Sequence, residues 1–320
     1  MKKYLVISFL VVGLVLGRVA LAYDRGYKVN FTLGIGKLSG NTTYQIGGTA
    51  NISGLGSQEL HFPVSELEFP LDVYMVSMGG NIAFAEKWKM SVDVGKNITS
   101  DAGKLKDSDW GVYWLEGMPG AEQDTLDIYS ESDANLDALI ININLQYRFY
   151  ESPNWSFSAG LGYMGENFDY EVSNLDQWYP SSTYYFGYDL GHEYVSGKVI
   201  TYTVKYSIPY MEASVRCVKD KFRFEASLGY SPVVKVIDED HHILRNKVCK
   251  GDCNGNATLF FLEGDYEFRK FWLLTIRLSY VGIDTSGKQT QYLEGELFGT
   301  IDEKIKSEQT SIVFGVKHSF

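Results

Sequence analysis

Alternation of apolar and polar residues with a period of two dominates this sequence and recurs from segment to segment. In residues 141–149 one face is apolar and the other polar, with Ile141, Ile143, Leu145, Tyr147 and Phe149 opposing Asn142, Asn144, Gln146 and Arg148. The polar face carries charge repeatedly, as in Arg223 and Glu225, Glu263 and Asp265, and Arg277. A soluble sandwich would bury its apolar faces in a core. Charged rows inside an apolar band are typical of a transmembrane β-barrel.

The connections between the alternating segments fall into two classes. Short turns are predicted at 85–87, 151–154, 218–221 and 269–270, and long polar loops at 39–63, 98–133, 171–198, 239–256 and 287–304. Short and long connections alternate, as they do in outer-membrane barrels. We therefore predict an all-β fold, an antiparallel up-and-down barrel of about ten strands. The predicted strands are 26–38, 64–84, 88–97, 134–150, 155–170, 199–217, 222–238, 257–268, 271–286 and 305–320.

In one predicted strand the alternation of apolar and polar residues shifts by one position. Near Pro209 the apolar positions pass from even residues such as Tyr206 to odd ones such as Met211, which predicts a β-bulge.

The first residues predict export. Lys2 and Lys3 precede an apolar run from Tyr4 to Leu16, and Ala20-Leu21-Ala22 has the pattern of a signal-peptidase site. A membrane anchor is the alternative, but the run is short for a spanning helix. We expect a signal peptide at 1–22 and a single barrel domain at 23–320, in the outer membrane of a Gram-negative bacterium.

The charge and the amino-acid composition limit the kinds of molecule that this protein is expected to bind. The formal net charge is −11, and an acidic surface argues against a nucleic-acid partner while favouring a cationic substrate or divalent ions. Aromatic residues make up 15% of the chain, which suits many short aromatic strands better than a water-soluble core.

The sequence contains three cysteines. Cys249 and Cys253 flank a Lys-Gly-Asp segment in a polar stretch, and an oxidising compartment would permit a disulfide between them; two free thiols are the alternative. Cys217 is expected to be a small apolar strand residue. The spacing of cysteines and histidines completes no four-ligand zinc set, so no metal is expected.

Two short acidic motifs fall where predicted strands leave the membrane. Asp107 and Asp109 can share one face of an extended segment, and Asp240 and His242 can share another. An aspartate beside a histidine is a general-base arrangement, and two close carboxyls can retain one proton near neutral pH. Alone, each motif has a plainer interpretation. The Asp-x-Asp pair is more often solvated or a calcium ligand, and a His-His pair is more often an ordinary rim feature.

Taken in order, five segments resemble the omptins, ten-stranded outer-membrane endopeptidases that need no cofactor. The segments are Gly36–Gly40, Val64–Phe69, Asp107-Ser-Asp-Trp110, Ile208-Pro-Tyr210 and Asp240-His-His242 with Arg245. The resemblance implies that water lies between Asp107 and His242, with Asp240 orienting the imidazole and Asp109 supporting Asp107. An alternative register uses His241 with Glu239, but neighbouring residues of a strand face opposite ways.

The sequence departs from the family pattern at the positions that bind substrate and lipid. Tyr44 occupies the position of an acidic residue in members that cut at basic residues, whereas Asp238 retains the second acidic position. The family's lipopolysaccharide-binding rim is basic; Lys205 matches one of its positions and Asn167 replaces another. We therefore predict a monomeric aspartic-type endopeptidase that cleaves peptides or proteins, with lipopolysaccharide required for activity. The alternative is a non-catalytic barrel, an adhesin or structural protein on the same scaffold.

Overall fold

The computed structural model describes residues 28–54 and 56–320, and almost all of them lie in one antiparallel sheet of twelve strands. The predicted signal peptide lies outside the described residues. The strands are β1 (Lys28–Ile52), β2 (Gly56–Pro70), β3 (Val73–Phe84), β4 (Trp88–Asn97), β5 (Asp101–Trp110), β6 (Leu126–Glu151), β7 (Trp155–Trp178), β8 (His192–Lys219), β9 (Phe222–His242), β10 (Lys247–Arg269), β11 (Trp272–Leu293) and β12 (Glu296–Ser319).

Strand β12 pairs with β1, so the sheet closes into a barrel and the predicted fold class is confirmed. The predicted count of about ten strands holds at each level of the barrel. In the lower half β1 is followed by β3, β4 and β6, whereas in the upper half it is followed by β2, β5 and β6. Each level thus contains ten of the twelve strands. Pro70 ends β2, where a residue without an N–H group suits a break in the ladder.

The two faces of the lower barrel follow the alternation in the sequence. Leu274, Ile276 and Leu278 are exposed on the outer face, whereas Thr275 on the inner face is buried. Several charges in the lumen are paired, as between Lys317 and Asp265, because an isolated charge there would be costly. The exposed apolar side chains form a band that ends near Leu139, Tyr163 and Tyr230, which marks the membrane-spanning level.

Above this band the strands continue, and the predicted long loops are wrong. Most residues of 39–63, 171–198, 239–256 and 287–304, and many of 98–133, lie in strands; the real connections are short at 53–55, 243–246 and 294–295. The sequence of these strand segments resembles loop sequence because the outer face of the upper barrel is polar, while its inner face holds a core of large side chains. The core includes Tyr44, Leu67, Phe69, Phe168, Tyr202 and Tyr206.

Two longer connections lie at this same end, which we call the upper end. Residues 111–125 contain the helix Val112–Leu115, and residues 179–191 contain the helix Ser182–Phe186. Among the described residues, no helix is long and apolar enough to cross a membrane.

The predicted bulge near Pro209 is confirmed by a register shift in the β8–β9 pairing between Ser207 and Met211. The predicted disulfide is wrong. Cys249 and Cys253 are free thiols on the same inner face of β10. Residues four apart in a strand are separated by about 13 Å, well beyond the reach of a disulfide. The Lys-Gly-Asp segment between them is extended and makes no turn.

Candidate active site

The upper end of β9 presents a carboxylate and an imidazole to the inside of the barrel. Nε2 of His242 lies 2.8 Å from Oδ2 of Asp240, and the side chains are 13% and 0% exposed. This follows from the two-residue period, which places residues 238, 240 and 242 on one face. His241 and Glu239 point outward, where they pair with each other at 2.7 Å. The outward direction of His241 disfavours the alternative register.

Tyr44 from β1 lies beside this pair. Its hydroxyl donates a hydrogen bond to Oδ2 of Asp240 at 3.3 Å, and its ring stacks on that of Tyr202. Tyr44 is fully buried, and burial followed by the charge of Asp240 raises its pKa well above the ordinary value. The side chain predicted to bind substrate therefore contacts the Asp240 carboxylate directly.

Asp107 and Asp109 lie on the inner face of β5, together with the buried Leu105. Burial, and then the neighbouring charge of Asp109, raises the pKa of Asp107 well above its ordinary value. Burial also raises the pKa of Asp109, against the opposing effect of a hydrogen bond from Ser65. Oδ1 of Asp107 is buried without a hydrogen-bond partner among the described residues. The couple is therefore suited to retain a proton near neutral pH.

The carboxyl couple and the Asp240–His242 pair lie in the same barrel mouth. Strand β5 is separated from β9 by β6, β7 and β8, which places the two strands nearly opposite. Electrostatic interactions cross the mouth. The charge of His242 opposes the rise that burial causes in the pKa of Asp109, and the charge of Asp240 adds to the rise in the pKa of Asp107. The positive charges of Arg245 and Lys247, at the β9–β10 connection, also oppose this rise in both carboxyls, whose pKa values remain raised.

A second acidic pair lies deeper in the same end. Asp238 of β9 and Glu303 of β12 are 3% and 1% exposed, and both oxygens of Asp238 lack a partner among the described residues. Burial is the main cause that raises the pKa of Asp238 well above normal and that of Glu303 to about 7. Both carboxyls lie over Gly251, where a Cβ atom would overlap Glu303 Oε2 and Asp238 Oδ1.

Glu303 and Cys249 were not recognised as site residues from the sequence. Neither has an acidic residue or a histidine two positions away that would form a pair with it on one strand face, and both fall in segments predicted to be loops. Had β12 been extended upward from the inward position of Ser307, Glu303 would have shared its face. Cys249 is the direct partner of Asp240 in the β9–β10 pairing. Burial raises the pKa of its thiol to about 12.

Lys205 lies apart from this site. It is exposed on the outer face of β8, next to Ile237 of β9 and just above the apolar band. Asn167, its partner on β7, donates a hydrogen bond to Asp169. This position is on the lipid-facing side at the level of the headgroups.

Comparison with known families places this geometry in context. The model of the omptin family matches residues 26–306, which is most of the chain. The chain belongs to the omptin family. Membership of this family supports the conclusion that this chain is an outer-membrane protease, and it indicates that the protein lies in the outer membrane of a Gram-negative bacterium. A comparison with curated proteins finds no match.

Among solved structures, the outer membrane protease OmpT from Escherichia coli superposes with a TM-score of 0.77 at 17% identity, over 92% of this chain and 97% of that chain. This similarity shows that the two share the barrel fold. The outer membrane protein OprG from Pseudomonas aeruginosa has a TM-score of 0.38 at 11% identity, covering 92% of this chain and 95% of that chain. That likeness is too weak to bear on the fold.

Proposed function

We propose that this omptin is an aspartic-type endopeptidase that hydrolyses peptide bonds at the upper mouth of the barrel, facing the cell exterior. The observation that carries the proposal is the Asp240–His242 pair at 2.8 Å, in one mouth with the half-buried Asp107–Asp109 couple. All four groups come from one chain, so a monomer is sufficient.

In this mechanism a water molecule lies between Asp107 and His242. The imidazole accepts a proton from the water as the oxygen attacks the peptide carbonyl, and Asp240 stabilises the resulting imidazolium. The imidazolium then gives this proton to the amine nitrogen as the C–N bond breaks, which leaves a carboxylic acid and a free amine. Asp109 supports Asp107 by keeping one proton on the couple, which its raised pKa favours. The reaction requires only side chains of the protein and one water.

The mechanism is tested with a fluorogenic peptide library and purified, folded protein. His242→Ala and Asp107→Ala are each expected to reduce kcat by at least about 10²-fold, since each removes a group that acts on the water. His241→Ala is the matched control, because His241 is adjacent in sequence but faces outward. Equal cleavage by all variants would refute the mechanism. Absence of cleavage by the unaltered protein would favour the non-catalytic barrel, an adhesin or structural protein.

We further propose that Asp238 receives a cationic side chain of the substrate. Its two oxygens are buried without partners, and the nearby Glu303 supplies a second carboxyl although Tyr44 supplies none. A cation entering there would satisfy acceptors that are otherwise desolvated. Asp238→Asn is therefore expected to lower kcat/KM for peptides with Lys or Arg at the cleavage site more than for neutral peptides. An equal effect on both classes would contradict this role.

We propose in addition that lipopolysaccharide is required for activity and contacts Lys205. The exposed ammonium group, at the upper edge of the apolar band, is placed to meet an anionic headgroup. Adding lipopolysaccharide to protein in detergent should increase cleavage, and Lys205→Ala should require more of it. Lys288→Ala is the control, because Lys288 is also an exposed cation but pairs with Asp302 at the upper rim. An identical response of all three proteins would refute the contact.

A further inference from the structure

Strand pairing places a thiol against the proposed catalytic dyad. Cys249 of β10 lies directly opposite Asp240 of β9. One ligand atom each of Asp240, His242 and Cys249 lies within 4.8 Å of the other two. Asp240 and Cys249 are fully buried, and His242 is nearly so. Carboxylate, imidazole and thiolate are the three ligand types that zinc binds in proteins.

A second observation points to a ligand at this place. Oδ1 of Asp240 is buried and has no hydrogen-bond partner among the described residues, whereas Oδ2 of the same group interacts with both Tyr44 and His242. A buried carboxylate oxygen without a partner is costly. A cation bound to this carboxylate through Oδ2 would neutralise its charge, and Oδ1 is available as a second ligand atom.

We propose that Asp240, His242 and Cys249 form an inhibitory binding site for Zn²⁺ or a similar borderline-soft divalent metal. The three side chains would supply three ligands, and water would complete a tetrahedral set. The site itself is inferred from the residues alone. That metal binding there inhibits the protein rests on the proposed function.

The distances are compatible with this coordination. Zn–N and Zn–O bonds of about 2.0–2.1 Å at a tetrahedral angle separate the two ligand atoms by roughly 3.3 Å. His242 Nε2 and Asp240 Oδ2 lie 2.8 Å apart, so the pair must open by roughly half an ångström. The longer Zn–S bond of about 2.3 Å allows the thiolate a wider separation.

Binding exchanges protons for the metal. The Cys249 thiol gives up its proton to solvent and binds as the thiolate, and His242 binds as the neutral imidazole. With the metal on Nε2, the neutral imidazole would carry its proton on Nδ1 and accept none from water, and Asp240 would no longer hold the imidazole in place. Inhibition is therefore expected whenever the site is loaded.

The ligand set also predicts which metals act. A single carboxylate with one nitrogen and one sulfur suits Zn²⁺ or Co²⁺, whereas Ca²⁺ and Mg²⁺ bind oxygen ligands. Ca²⁺ and Mg²⁺ should therefore neither bind at this cluster nor inhibit.

The binding experiment does not depend on proteolysis. The purified barrel in detergent is titrated with Co²⁺, whose thiolate complex has a charge-transfer absorption in the near ultraviolet. We expect this band in the parent protein and in Cys253→Ser, and its loss in Cys249→Ser. Cys253 is the matched control, because it is buried on the same face of the same strand but its Sγ contacts Glu303. Absence of the band from the parent, or its persistence in Cys249→Ser, would overturn the site.

The functional experiment compares cleavage with and without Zn²⁺ within each variant, so that changes in basal activity cancel. Cys249→Ser is expected to raise the half-inhibitory Zn²⁺ concentration at least about tenfold, since loss of a metal ligand weakens binding, whereas Cys253→Ser leaves it unchanged. Equal inhibition of the two variants would overturn the inhibitory role. A parent that shows the cobalt band but cleaves nothing would retain the site and refute the proposed function instead.

Discussion

Oδ2 of Asp240 lies 2.8 Å from Nε2 of His242 and also accepts a hydrogen bond of 3.3 Å from the hydroxyl of Tyr44. One buried carboxylate oxygen thus interacts with side chains from β9 and β1. The tyrosine holds the carboxylate, and the carboxylate in turn holds the imidazole. We therefore expect Tyr44, which stands where the resemblance implies an acidic residue, to position the Asp240–His242 pair.

The first prediction concerns Tyr44→Phe, which keeps the ring and removes the hydroxyl. A hydrogen bond to a charged group contributes about 1.5–3 kcal/mol, and the long distance here favours the lower end. We expect kcat to fall roughly tenfold with KM little changed. Tyr202→Phe is the control, because its buried hydroxyl has no partner among the described residues. Similar losses in the two variants would contradict a positioning role for Tyr44.

Asp240→Asn tests the carboxylate itself. The variant keeps the shape of the side chain but loses the charge that stabilises the imidazolium, so kcat should fall by about 10²- to 10⁴-fold. Single-turnover cleavage of a fluorogenic peptide measures this loss separately from product release. Asp252→Asn on the outer face of β10 is a charge-matched control, since its carboxylate is exposed and pairs with the exposed Lys235. Full activity of Asp240→Asn would exclude a catalytic role for the carboxylate.

The raised pKa of Asp107 predicts how stability depends on pH. Because its folded-state pKa lies above the unfolded value, its contribution is complete below the unfolded pKa of about 3.9 and is lost as pH rises through the folded pKa. Asn does not titrate. Asp107→Asn should therefore raise the midpoint of thermal unfolding by a few degrees at pH of about 8 and leave it nearly unchanged near pH of about 4.

The exposed Asp124→Asn is the control for this measurement, because a solvated carboxylate gains little from neutralisation. Heat-dependent mobility in detergent reports the midpoint. The measured quantity is the unfolding midpoint of Asp107→Asn minus that of the parent. If this difference is no larger at the higher pH than at the lower one, Asp107 is not held in its neutral form.

The fold was largely predictable because the barrel obeys one repeating rule. Segments such as 274–280 reveal both faces of a lipid-facing strand, since lipid on one side and charge on the other leave a strong pattern. The upper barrel leaves a weaker pattern. Its strands have water outside, so residues such as Asp302 and Lys304 resemble loop sequence. For that reason the strand lengths and the Cys249–Cys253 disulfide were wrong.

Some contacts of the candidate site follow from local sequence spacing, and others follow only from how the strands are arranged. Asp240 and His242, like Asp107 and Asp109, are two residues apart in sequence, so local spacing is enough to place each pair on one face of a strand. Glu303 of β12 and Asp238 of β9 meet over Gly251 of β10 through the order of the neighbouring strands, and Cys249 lies beside Asp240 through the register of a hairpin. Such contacts depend on where each strand ends, which is the property that the polar upper segments conceal.

Gly251→Ala tests the acidic pair without altering a charge. The added methyl group would overlap Asp238 Oδ1 and Glu303 Oε2, so the two carboxyls must move from their positions over β10. We expect kcat/KM for peptides cut at Lys or Arg to fall roughly tenfold, with a smaller change for neutral peptides. Gly264→Ala on the same strand is the control, because its methyl group meets only ordinary contacts. Equal effects of the two substitutions would argue against a substrate pocket there.

Lys317 tests the lumen at the opposite end of the barrel. Its ammonium group lies 2.8 Å from Asp265 and 2.5 Å from Glu263, and the side chain is 5% exposed. Lys317→Met leaves the buried carboxylate of Asp265 and the half-buried carboxylate of Glu263 without a cation. Breaking a buried ion pair in this way costs about 3–5 kcal/mol, so the urea concentration at the unfolding midpoint should fall markedly.

Replacing the whole group separates this cost from a packing defect. The triple variant Lys317→Met, Glu263→Gln and Asp265→Asn carries no uncompensated charge, so it should recover most of the lost stability. Lys104→Met, which breaks an exposed pair with Asp133, should change the midpoint little because such pairs contribute about 0–1 kcal/mol. If the triple variant were as unstable as Lys317→Met, the loss would come from packing around the lysine, and the charge network would not be what stabilises the lower lumen.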